Sequence, residues 1–128
     1  MKIFVSGESY HSKNNFVDEN NVFLGYDEED DCCSDGGWFI SDKSDEWLKE
    51  TFKEEAMDFP GWTFDTTYFK CPAPNTPNEE YSESYAAQFR IVNGDNEKFI
   101  TLYNCHNGYY SKGFEFKVGD KVVQEDSL

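Results

Sequence analysis

Phe114, Phe116 and Val118 alternate with Glu115 and Lys117, and Gly119-Asp120 then leads into Lys121-Val122-Val123. A period of two puts apolar side chains on one face of a strand and charged ones on the other. A two-residue Gly-Asp connection reverses the chain into a hairpin. No other stretch limits the fold as tightly. It demands an antiparallel sheet with one wet face and one face packed on a core.

The same signals recur upstream in weaker form. Tyr85 to Val92 and Lys98 to Tyr103 read as strands joined by Asn93-Gly94-Asp95-Asn96. Lys2 to Val5, Val22 to Tyr26, Trp38 to Ile40 and Trp62 to Phe69 read as further strands. His11 to Asn21 is polar and turn-rich. Cys71 to Ser84, with Pro72, Pro74 and Pro77, reads as a long connection.

One segment reads as helix. Ser41 to Met57 opens on Asp42 or Ser44 as a cap, places Asp45 and Glu46 at the positive end of the helix dipole, and stops before Pro60-Gly61. Trp47, Leu48, Phe52 and Ala56 approximate one apolar face, with Glu46, Glu50 and Glu54 along another. The expectation is an α+β fold: one domain over residues 1–128, an antiparallel meander with a single main helix packed against it. The 12 Phe, 8 Tyr and 3 Trp argue for a folded core despite the high charge.

Charge is segregated along the chain. Asp18 to Asp58 holds 15 acids against Lys43, Lys49 and Lys53, so twelve of the fifteen net negative charges lie there. Ser84 to Gln124 is nearly neutral, with four acids against five bases. Such a field repels phosphate backbones and anionic lipid and draws in basic protein surfaces. No run approaches a membrane span. The start of the chain has no apolar core of a signal peptide, and the four cysteines read as free thiols, so a cytoplasmic location is expected.

Signals for chemistry are few. Read as a calcium loop, Asp31 to Asp42 places the soft Cys33 at the third position and the short Asp42 at the twelfth, and its flanks read as strand. Looser calcium or magnesium binding by Asp27, Asp30, Asp31 and Asp35 is the alternative to a solvated turn. Cys32-Cys33 and Cys105-His106 are contiguous, which suits neither a zinc site nor a strand-borne dyad. No phosphate loop, metal helix or nucleophile elbow is present. No cofactor is expected, and the chain does not read as an enzyme.

Asn107-Gly108-Tyr109-Tyr110-Ser111-Lys112-Gly113 holds two tyrosines between turn-permissive residues, either as an aromatic contact surface or as a filled sheet corner. This stretch through Phe116, together with the acidic run from Tyr26 into Cys32-Cys33, resembles an uncharacterised family of small phage and bacterial proteins with no assigned activity. In that family a His follows the aromatic and a Gln precedes the Asp-Cys-Cys; here Asp27 and Glu29 or Asp30 stand instead. The resemblance implies a small, mobile-element-associated, cytoplasmic protein and supplies no catalytic residues.

The expected function is therefore non-enzymatic binding. Asp27, Glu28, Glu29, Asp30, Asp31 and Asp35, the Glu46/Glu50/Glu54 stripe, and Tyr109 and Tyr110 are the candidate contacts. The expected partner is a basic surface of a host nucleic-acid-binding or defence complex, blocked by charge mimicry. The alternatives are a divalent-cation module on the acidic loop, or a soluble domain whose charge serves solubility alone.

Overall fold

The computed structural model describes residues 1–7, 12–28, 34–47, 56–72, 83–108 and 110–128. They form ten strands in two antiparallel sheets. These are β1 Lys2–Ser6, β2 Ser12–Val17, β3 Val22–Glu28, β4 Ser34–Ser41, β5 Ala56–Asp58, β6 Thr63–Phe64, β7 Glu83–Asn93, β8 Asn96–His106, β9 Gly113–Val118 and β10 Lys121–Ser127. The larger sheet runs β10-β9-β3-β2-β1-β5 and the smaller β4-β8-β7-β6.

The sheets face each other across one aromatic core. Val22, Leu24 and Tyr26 of β3 and Phe114 and Phe116 of β9 point inward from the larger sheet; Trp38, Phe89, Ile91, Ile100 and Leu102 meet them from the smaller. Ring contacts cross the gap directly. Phe16 stands edge-on to Trp38 at 5.0 Å, and Phe89 edge-on to Phe116 at 4.9 Å. Edge-to-face geometry aligns the positive ring edge with the negative face of its partner.

The α+β expectation is overturned: among the described residues there is no helix, and the fold is all-β. Of the segment Ser41 to Met57, Ser41 closes β4, residues 42–45 form bends and turns, 46–47 are irregular, and Ala56–Asp58 is β5, paired with β1. The competing pull is tertiary. Trp47 packs on Phe39 at 5.1 Å and Tyr103 at 5.5 Å, covering the smaller sheet, and Ala56 sits opposite Phe4 in the larger one. Residues 48–55 lie outside the described residues.

Two strand boundaries also differ from expectation. Ser12–Val17, read as turn-rich, is an interior strand between β1 and β3. Its Asn14 and Asn15 are buried, and the Asn15 amide donates to the Phe4 carbonyl and to Ser6 Oγ of β1. In the other direction, pairing from Trp62 to Phe69 is limited to Thr63–Phe64 and an isolated bridge further on between Lys70 and Gln88. Asp65 breaks the run by accepting hydrogen bonds from the Thr67 backbone N–H and hydroxyl, a local turn that competes with the ladder.

The smaller sheet is covered on its outer face too. Phe39, Phe99, Thr101, Ala86 and Gln88 are buried there. Gln88 is fully engaged: it accepts from Tyr68 Oη and donates to the Ser44 carbonyl and to Thr101 Oγ1.

Candidate functional site

The outer face of the larger sheet carries a trough of about 490 Å³ where β2, β3, β9 and β10 lie side by side. Register explains it. Gly25 on β3 faces Glu115 on β9, which faces Glu125 on β10. Gly25 and Gly113 leave the floor low, so charged side chains from the flanking strands arch over it.

Lys13 lies opposite Asp27 across the β2–β3 pair, yet its ammonium reaches Glu115 at 3.0 Å instead. Its stem crosses Gly25 so closely that a Cβ there would stand 2.4 Å from Lys13 Cε. Lys117 approaches the same carboxylate at 3.6 Å, and both ammonium groups lie over the Phe23 ring. Hydrogen bonding and attraction from Lys13, then attraction from Lys117, hold the Glu115 carboxyl below the usual glutamate range.

The remaining acids are left over. Asp27 lies against Gly113, where a Cβ would come within 3.2 Å of its Oδ2. Among the described residues neither Asp27 nor Glu125 has an ion-pair partner. Asp126 borders the trough through its backbone; its side chain has the opposite parity, facing Phe114 across the pair, and accepts the Ser127 N–H. Three carboxylates, Asp27, Glu115 and Glu125, thus meet two ammonium groups, Lys13 and Lys117, both engaged by Glu115. Glu115 and Glu125 stand directly opposite each other, a like-charge arrangement that costs the sheet stability. The trough is chemically fitted to a guanidinium or ammonium group brought from outside.

Of the residues singled out from sequence, Asp27 alone among the described ones lines this trough. Asp35 is exposed on β4, with the parity of Phe39, and so belongs to the outer face of the smaller sheet, on the other side of the sandwich. Glu46 is half-buried on that same side, lining a hollow of about 300 Å³ with Trp47, Lys70 and Gln88. Tyr110 is half-buried, and its carbonyl accepts from the Asn104 amide. Glu28 is the last residue of β3, opposite Ser12. Glu29, Asp30, Asp31, Glu50, Glu54 and Tyr109 lie outside the described residues. The structure therefore does not bring Asp27, Asp35 and Glu46 onto one surface. Other early acids have separate duties: Asp42 pairs with Lys98 at 2.6 Å, and Asp18 is buried and bonded to backbone. Glu115 and Glu125 were missed because their meeting with Asp27 depends on strand register.

Cys105 and His106 point to opposite faces of β8. Cys105 accepts from Ser84 Oγ on the outer side, whereas His106 stacks near Tyr85 and accepts the Gly108 N–H at Nδ1. That acceptor role places the proton of a neutral His106 on Nε2. Cys71 is an exposed residue whose thiol pKa is raised, first by partial burial of the sulfur and then by the Asp126 carboxylate. Among the described residues no group of three or more His, Cys, Asp or Glu side chains is placed to hold a metal ion, and no helix is long and apolar enough to cross a membrane.

No family model matches the chain, and comparison with curated proteins and with solved structures returns no match.

Proposed function

We propose that the protein is a non-enzymatic binding module that docks a basic protein surface through the acidic trough on its larger sheet. The observation that carries this reading is the composition of the trough: three carboxylates, of which Glu115 engages both Lys13 and Lys117, leaving Asp27 and Glu125 unpaired among the described residues. A lysine or arginine side chain from a partner finds there both a concave seat and unneutralised charge. The partner is a surface of the kind that grips phosphates, and the trough competes for its cations. The resemblance to small phage proteins suggests host nucleic-acid or defence machinery as the setting.

A chain of net charge −15 attracts polycations everywhere, so the test must separate place from total charge. The double variant Asp27→Lys/Glu125→Lys is compared with Asp95→Lys/Asp120→Lys, which makes the same charge change at exposed hairpin turns. The probe is a short arginine-containing peptide at about 0.15 M salt, where the Debye length is about 8 Å. The trough variant loses at least about tenfold in affinity and the turn variant stays within about threefold of wild type. Equal losses in both would mean that only overall charge is at work.

A further inference from the structure

Strand β10 forms the outer edge of the larger sheet, bonded to β9 alone among the described residues. An open edge presents a row of backbone donors and acceptors to any strand that can reach it. Here the row can be traced. Gly119-Asp120 closes a two-residue hairpin, so Val118 and Lys121 exchange their bonds. Gly119 N–H instead donates to the Asn21 carbonyl, on the β3 side, which fixes the parity of β9. Phe116 and Phe114 therefore bond Gln124 and Asp126, and the N–H and C=O of Glu125 and the C=O of Ser127 point away from the sheet, the Ser127 N–H being turned to Asp126 Oδ1. All three of these β10 residues, Glu125 to Ser127, are exposed, as are Val122 and Val123.

Charge decides what can occupy this edge. Pairing β10 with β10 of a second copy would bring Glu125 and Asp126 of two strongly acidic chains together. The bulge at Val123 further bends the edge against such self-pairing. An extended segment rich in lysine or arginine meets the opposite condition. A residue paired with Glu125 lies about 5 Å from it on the outer face, beside the trough.

We propose that β10 takes up an extended basic segment of a partner protein as a further strand of the larger sheet, its alternate cationic side chains reaching Glu125 and the trough. Backbone bonds supply the affinity and charge supplies the choice of partner. The proposal rests on the acidic-trough reading and adds to it the shape of the partner.

The experiment uses the full chain with two probes of equal charge: an alternating Lys-Val peptide, and the same peptide with its alternate backbone amides N-methylated on the pairing edge. Strand addition predicts that the unmodified peptide slows amide hydrogen exchange at Glu125 by at least about tenfold, and that methylation weakens binding by at least about tenfold. Glu125→Pro, which removes an outward donor and spares the bonds to β9, weakens binding well beyond Glu125→Gln, which loses the same carboxylate and keeps the donor. Equal binding of both peptides, abolished by Asp27→Lys/Glu125→Lys, overturns strand addition and leaves the trough standing. Binding of neither peptide overturns both. A dimer in sedimentation that the peptide dissociates overturns the choice of occupant.

Discussion

Asp18 shows how an acidic residue in this chain can be structural. Its Oδ1 accepts from the Asn20 and Val22 N–H groups at 3.0 and 2.9 Å, and its Oδ2 from Phe64 N–H at 2.8 Å. One carboxylate thus holds the β2–β3 turn, where Asn21 adopts a positive φ of 59°, and fastens it to β6 on the other sheet. Asp18→Ala leaves backbone donors without an acceptor and is expected to cost about 3 kcal/mol in urea unfolding. Asp18→Asn recovers part of that, since its amide nitrogen must face the Val22 or the Phe64 donor. At the same scale, Asp65 and Glu115 have carboxyls held low, Asp65 first by Thr67 and then Arg90, Glu115 first by Lys13. A folded pKa below the unfolded one stabilises above the unfolded value and is lost as pH falls through the folded one. Relief of the chain's net repulsion acts in the opposite sense over the same range. The comparison that isolates the pairs is wild type against Asp65→Asn/Glu115→Gln: their urea midpoints are expected to differ at pH 7 and to converge below about pH 4. A gap that stays constant with pH would remove these groups from the account.

Among elements, β3 depends on Gly25 more than on any apolar residue of its outer face. A Cβ there meets Lys13 Cε at 2.4 Å and the Phe23 ring at 2.9 Å. Gly25→Ala is expected to push Lys13 off Glu115, cost about 1 kcal/mol and raise the Glu115 pKa, followed by carboxyl chemical shifts against pH. An unchanged Glu115 titration would show that Lys13 re-forms its contact elsewhere. The elements that sequence made legible were those whose local pattern and tertiary role agree. The alternation of β9 and the turns at Gly94 and Gly119, both with φ near 60°, gave the β7–β8 and β9–β10 hairpins directly. Strand β2 was hidden because Asn14 and Asn15 look like turn residues until the partners of their amides are known. The helix expected at Ser41 to Met57 failed in its described parts because Trp47 and Ala56 serve two different sheets. The trough was legible only at Asp27, since Gly25, Glu115 and Glu125 are brought together by register, which no local pattern encodes.

For the whole molecule, the two outer faces differ in kind. The smaller sheet is covered, with Gln88 and Thr101 sealed beneath Tyr68 and Ser44. Among the described residues the larger sheet is open on its outer face and carries unpaired acid next to a free edge. A charge gradient along the chain thus becomes a local feature drawn from both halves, since Asp27 comes from the acidic half and Glu115 and Glu125 from beyond it. The most direct measurement is a site-resolved backbone chemical-shift titration with an arginine-containing peptide at about 0.15 M salt. The account predicts that the perturbed amides cluster at Gly25, Asp27, Gly113, Glu115 and Glu125, with Asp35 and Glu46 unmoved. Perturbations centred on Asp35 and Glu46, or spread evenly over both faces, would contradict it.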